Sequence, residues 1–159
     1  MSKNLYKSGF DFLTSYLDFK YNIKVIQKHN GEEAWYPNLK TIIINKNYQW
    51  RDRLIALIHE SGHVQIDLEQ NVRKNLRCAN NKVYNYPTHI KSKSALVNQL
   101  NEELMAWNLG KKLALSLNIK FDIKRLDETS TKCIMSYIKE GLKEVYGKTI
   151  NVAQIDPGI

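Results

Sequence analysis

The sequence predicts an α+β fold, on three observations. Helical apolar periodicity brackets a β-favouring stretch: an amphipathic segment near the N-terminus comes first, strand-like runs lie between residues 23 and 44, and further helical patterns follow. At 159 residues the chain is the size of one domain with a real apolar core, and residues 1–159 are read as one unit. A composition of 43% hydrophobic and 25% charged residues is that of a globular protein. No apolar run approaches the roughly 18 residues of a membrane span, so no membrane partner is expected.

Each element has its own signal. Phe10, Leu13 and Leu17, with Phe12, Tyr16 and Phe19 beside them, recur at helical spacing over residues 9–20. Ile23 and Val25 alternate with polar residues up to Gln27, and His29-Asn30-Gly31 is a turn. Ala34-Trp35-Tyr36 and Thr41-Ile42-Ile43-Ile44 read as a hairpin joined by Pro37-Asn38-Leu39-Lys40. From Tyr48 to Glu69 the period becomes helical, with Leu54, Ile55, Ile58, Gly62 and Ile66 near one face. A second long helix starts near Ser92 or Ser94 and runs through Leu96, Leu100, Leu104, Trp107 and Leu113 to Leu117, with Asn118 as its stop. A last one spans Ser130 to Tyr146 and stops at Gly147.

Subtracting 16 acidic from 24 basic residues gives a net charge of +8, which favours acidic partners. Most of that excess lies between Gln70 and Ser94, where Arg73, Lys74, Arg77, Lys82, Lys91 and Lys93 occur with no Asp or Glu. Asn80-Asn81 and Tyr86-Pro87 are poor helix signals, and at 25 residues the segment is long for a structureless connection, so it reads as functional, mobile or partly helical. It serves either as a solvated surface or as a site of weak, non-specific nucleic-acid binding that salt weakens. The N-terminus lacks the apolar stretch of a secretory signal, and Cys78 and Cys133 do not form a disulfide framework; a cytoplasmic location with both thiols reduced is expected.

His59-Glu60-Ser61-Gly62-His63 is a complete H-E-x-x-H pattern inside the first long helix. Chance produces it only about 0.005 times in a chain with this content of His and Glu. Two histidines four residues apart stand one turn above the other, so both rings reach a single ion, and zinc is the ion this spacing suits. Glu60 points to the side of the pair. There it can act as the general base on a water that the ion activates. Ile55 and Ile66 extend the histidine face, and Gly62, costing about 1 kcal/mol relative to alanine, marks a close approach of backbone or substrate.

A catalytic zinc takes three protein ligands and keeps one position open. Glu103 interrupts the apolar stripe Leu96, Leu100, Trp107, Gly110, Ala114 and Leu117, an expensive place for a carboxylate unless it is paired or bound to a metal. It is the first candidate for the third ligand. Glu102, on the face of Gln99, Ala106, Leu109 and Leu113, is the second.

The motif His59-Glu60-Ser61-Gly62-His63, followed by Glu103-Leu104-Met105-Ala106-Trp107, resembles the small zinc metallopeptidases of the ImmA/IrrE type and their phage-borne relatives, compact gluzincins. The likeness covers residues 20–117; Met105 stands where a second Glu is common, and the basic segment lengthens the gap between motifs. It implies a minimal zincin-like domain, with a small sheet and edge hairpin packed on the helix of His59 and His63 and on the Glu-bearing helix. It also implies a zinc-dependent endopeptidase acting on a protein or peptide substrate, with residues 33–36 pairing with the extended peptide. Tyr84, Tyr86 and His89 are candidates to stabilise the oxyanion. Two other classes remain open: a DNA-associated zinc protease of the SprT kind, with His89 as third ligand, and a binding module that keeps zinc for stability alone.

Overall fold

The computed structural model describes residues 3–76 and 93–146, with side chains over 4–69 and 93–144. Among the described residues the order is α1 (Lys3–Tyr21), β1 (Lys24–Lys28), β2 (Ala34–Tyr36), β3 (Thr41–Asn45), α2 (Trp50–Leu76), α3 (Lys93–Ser116) and α4 (Ile123–Tyr146). Helices on either side of a three-stranded sheet in sequence make this the mixed α+β arrangement that the periodicity predicts.

In α1 the buried face is Phe10, Leu13 and Leu17, whereas Phe12 and Phe19 are exposed. The helix starts six residues earlier than predicted, since Tyr6 also packs on the core and carries the same stripe back by one turn. It ends where Asn22 takes a left-handed conformation, φ 56°, and donates its N–H to the Asp18 carbonyl at 2.8 Å.

The strand order is β1-β3-β2, with β1 parallel and β2 antiparallel to β3. β3 is therefore central, and it buries Thr41, Ile42 and Ile44. The hairpin forms as expected, with Trp35 opposite Ile42, and its link is one tight turn at Pro37–Leu39 closed by Lys40 at φ 46°. β1 begins one residue later than the alternation predicts, because Ile23 is spent in the core just before the pairing starts.

The first long helix also differs at both ends from the predicted 48–69. Arg53 holds the connection before it: its guanidinium donates to the carbonyls of Tyr48 (2.8 Å) and Lys46 and to Gln27 Oε1 (2.9 Å), and it stacks on Trp50. With those carbonyls engaged, the helix begins at Trp50. It then continues through 70–76, so the start of the basic segment is helical, one of the readings that its length leaves open. Residues 77–92, with Cys78, Tyr84, Tyr86, His89 and Ser92, lie outside the described residues, as does Gly147.

The contact that positions everything else is the crossing of α2 and α3. A Cβ built on Gly62 would fall inside the van der Waals sphere of the Ala106 carbonyl, and one on Gly110 inside that of the Ile58 carbonyl. Each helix thus gives up a side chain where the other's backbone passes. At the end of α3, Asn118 is left-handed at φ 54°, and the Ile119 and Asn118 N–H groups return to the Ala114 and Leu115 carbonyls, both at 3.0 Å. This is a Schellman ending, with Ile119 buried behind it.

α4 starts at Ile123, seven residues before the predicted Ser130. Asp122 is its cap, accepting the Arg125 N–H at 2.9 Å. The Thr129-Ser130-Thr131 run that resembles a start is absorbed within the helix, because its hydroxyls donate to the carbonyls of Arg125 and Asp127 (2.7–2.9 Å) on the preceding turn. Gly141 lets Leu96 of α3 approach, and Arg125 bonds Asp52 of α2 at 3.0 Å. No helix among the described residues is long and apolar enough to cross a membrane.

Alanine is the better helix former by about 1 kcal/mol, so Gly→Ala in an unhindered helix stabilises. Gly110→Ala is expected to destabilise by about 1–3 kcal/mol in urea unfolding, because the added methyl meets the Ile58 carbonyl. A more stable variant would mean that the helices do not touch there.

Candidate metal centre

The histidines of α2 owe their direction to the helix that carries them. Ile55, Ile58 and Ile66 are buried on the same side, so His59 and His63 point inward, their Nε2 atoms 3.2 Å apart and their rings edge to face. The crossing at Gly62 and Gly110 then brings α3 against them. Glu103, 8% exposed, places Oε2 at 3.4 Å from His59 Nε2 and Oε1 at 3.7 Å from His63 Nε2.

Four donors around a tetrahedral ion with bonds of about 2.0–2.1 Å are separated by about 3.3–3.4 Å. The His59, His63 and Glu103 donors match that spacing closely enough to surround one ion, and the three ligand atoms lie within 4.8 Å of one another. The side chains are otherwise unsatisfied. Glu103 Oε2, His59 Nδ1 and His63 Nδ1 are buried with no hydrogen-bond partner among the described residues, an unfavourable state for polar atoms away from water. Two imidazoles and a carboxylate are a donor set that zinc accepts, so the residues present fit the ion the motif implies.

Burial is the main cause of the electrostatics here. It lowers the pKa of His63, with help from His59, to about 4, although Glu103 opposes the shift. His63 is therefore a neutral imidazole near pH 7, the state a metal ligand needs. Burial raises Glu60, 4% exposed, to about 7, against the opposing pull of His59 and with Glu103 adding to the rise. Trp35, on the outer strand of the hairpin, pulls the Glu60 pKa down against that rise through its backbone. Glu60 Oε1 is 4.0 Å from His59 Nε2, next to the candidate centre and outside the three-donor set.

The structure brings His59, Glu60, His63 and Glu103 together. Glu102 lies to one side, its Oε1 at 3.9 Å from His63 Nδ1, the ring nitrogen that faces away from the other two donors. Tyr84, Tyr86 and His89 fall outside the described residues. Sequence reasoning missed several neighbours. Trp107 belongs to the apolar stripe and closes the second motif, but neither reading gives it a contact with the histidines, and its indole stacks on His59 with ring centroids 4.1 Å apart. Trp35 also anchors the hairpin to α2 through a 2.6 Å hydrogen bond from Nε1 to Asp67. Tyr137 of α4 feels the charges of Glu103 and Glu60, which, after burial, raise its pKa. Its spacing of four from Cys133 was the one available signal for a shared face.

Comparisons with protein-family models, with curated proteins and with solved structures find no match to this chain.

The Glu60 shift has a consequence for the metal-free protein. Its folded pKa lies above its ordinary value, so between about 4.5 and 7 the folded state binds more protons than the unfolded state, and stability falls as pH rises through that window. His63 acts in the opposite direction between about 4 and 6.5, but it is unchanged in a Glu60→Gln variant. Relative to wild type, metal-free Glu60→Gln is therefore expected to gain stability from pH 5 to pH 8, by up to about 3 kcal/mol in chemical unfolding. A pH-independent difference would show that Glu60 is not desolvated.

Proposed function

We propose that this protein is a zinc-dependent endopeptidase, of the kind that its motif resembles, hydrolysing a peptide bond of a protein substrate. The observation that carries the reading is the meeting of His59, His63 and Glu103 at the spacing of one ion's ligands, with the buried carboxylate of Glu60 beside them. His59, His63 and Glu103 would hold the zinc. When bound, the ion supplies Lewis acidity, lowering the pKa of a water towards about 7 and polarising a carbonyl.

The remaining work belongs to the chain. Glu60 accepts the proton of the attacking water, and as the C–N bond breaks it returns that proton to the leaving amine. Its raised pKa suits both transfers near neutral pH. The Trp107 indole, stacked on His59, limits the rotation of that ring. Glu102 sits where it can orient the His63 ring through Nδ1. β2 is an outer strand, and an extended peptide can pair with it.

Elemental analysis is expected to find one zinc per chain, retained in Glu60→Gln and lost in Glu103→Ala. Glu60→Gln should also lower kcat on a cleaved peptide by at least about 100-fold, since an amide cannot take the proton. Full zinc in Glu103→Ala with loss in Glu102→Ala would move the ligand. Equal turnover by wild type and Glu60→Gln would remove the base from the mechanism, and zinc without hydrolysis of any protein substrate would leave a purely structural ion.

A further inference from the structure

A cavity of about 350 Å³ lies beside His59 and Glu60, among α2, α3, α4 and the segments that precede β2 and α2. This is the small end of the range for ligand sites. Ile55, Ala56 and Trp107 supply apolar wall, and the charged side chains lining it are Glu33, Asp52, Glu60 and Arg125. Arg125 is engaged by Asp52, Nε to Oδ1 at 3.0 Å, so that pair adds little net charge. Glu60 has the proton to move. Glu33 is left, and its Oε1 is buried with no hydrogen-bond partner among the described residues. The Tyr48 phenol faces the same carboxylate, and burial, followed by the charge of Glu33 and by hydrogen bonding to it, raises its pKa, so the oxygen left over is Oε1. A desolvated carboxylate oxygen without a partner is unfavourable in the empty protein and favourable once a cation reaches it.

Resting on the peptidase reading, we propose that this cavity receives one lysine or arginine side chain of the substrate, next to the cleaved bond, with Glu33 as its counter-charge. The aliphatic stem of such a side chain suits Ile55, Ala56 and Trp107, and its charged end suits the Glu33 carboxylate in the same lining. The net charge of +8 repels a strongly basic peptide at long range. The substrate class is therefore a single basic residue in an otherwise neutral or acidic segment.

The test uses the zinc-loaded full chain and N-acetylated, C-amidated peptides that differ only in carrying lysine or norleucine at the varied position. Cleavage is expected beside lysine, with kcat/KM about 10- to 100-fold above the norleucine peptide, the gain of one charge-assisted contact. In Glu33→Gln the lysine-to-norleucine ratio should fall to near one. Binding to zinc-loaded Glu60→Gln, which does not depend on turnover, should show the same preference and lose it in Glu33→Gln/Glu60→Gln. Equal treatment of the two peptides, in cleavage and in binding, overturns the cavity assignment while hydrolysis itself still stands. A Glu33-dependent preference in binding with no cleavage by wild type supports the cavity and overturns the peptidase reading. The same two peptides are also assayed without the N-acetyl group, and cleavage confined to these free N-termini would assign Glu33 to the α-amine and overturn the side-chain proposal.

Discussion

Two glycines, Gly62 on α2 and Gly110 on α3, let the backbones of the two central helices touch, and the candidate centre exists because of that contact. With side chains at either position the helices would stand further apart, and Glu103 would no longer lie within 3.4–3.7 Å of the histidine Nε2 atoms. The same approach seats the Trp107 indole on His59. Helix propensity is given up twice, at about 1 kcal/mol each, to obtain one fixed distance between elements far apart in sequence. Around this crossing the other parts are arranged for support. β3 and α1 close the core beneath α2, and α4 leans on α3 through Gly141 and on α2 through Arg125 and Asp52.

That geometry is costly without a ligand. Glu60 and Glu103 are both buried carboxylates, and Glu103 Oε2 and the two Nδ1 atoms lack partners among the described residues. A core built for stability alone would place apolar side chains there, since an unpaired buried charge is among the most destabilising features a protein can carry. The conflict between local stability and this cluster of polar groups is itself a functional signature. The charge of the chain as a whole has the opposite sign from the cavity: a chain of net charge +8 encloses a recess lined by the carboxylates of Glu33, Asp52 and Glu60 with Arg125 as the one cation among the described residues. Long-range attraction and local selection therefore favour different features of one partner.

How much of this was legible in sequence depended on range. His59 and His63 are related by one helical turn, so their shared face follows from spacing alone. Glu103 was readable because a lone carboxylate broke an apolar stripe, and Gly62 because a mid-helix glycine needs a reason. The close approach seen at Gly62 supplies that reason. The hairpin was readable from β-favouring runs around a proline turn. By contrast, the parallel pairing of β1 with β3 joins strands that are not consecutive, and nothing local marks it. The start of α4 was misplaced because Ser130 has the chemistry of a cap, and only the structure shows that Asp122 takes that role. Glu33, Tyr48, Arg125 and Cys133 come from three separate parts of the chain and meet only at the cavity.

X-ray absorption at the zinc edge of the zinc-loaded full chain tests the central claim most directly. The account predicts a shell of nitrogen and oxygen only, at about 2.0–2.1 Å, with multiple scattering from two imidazoles. It also predicts that Gly110→Ala, which pushes the helices apart, disturbs that shell. A sulfur scatterer at about 2.3 Å, a third imidazole, or a spectrum unchanged in Gly110→Ala would contradict a centre assembled by His59, His63 and Glu103 across the glycine crossing.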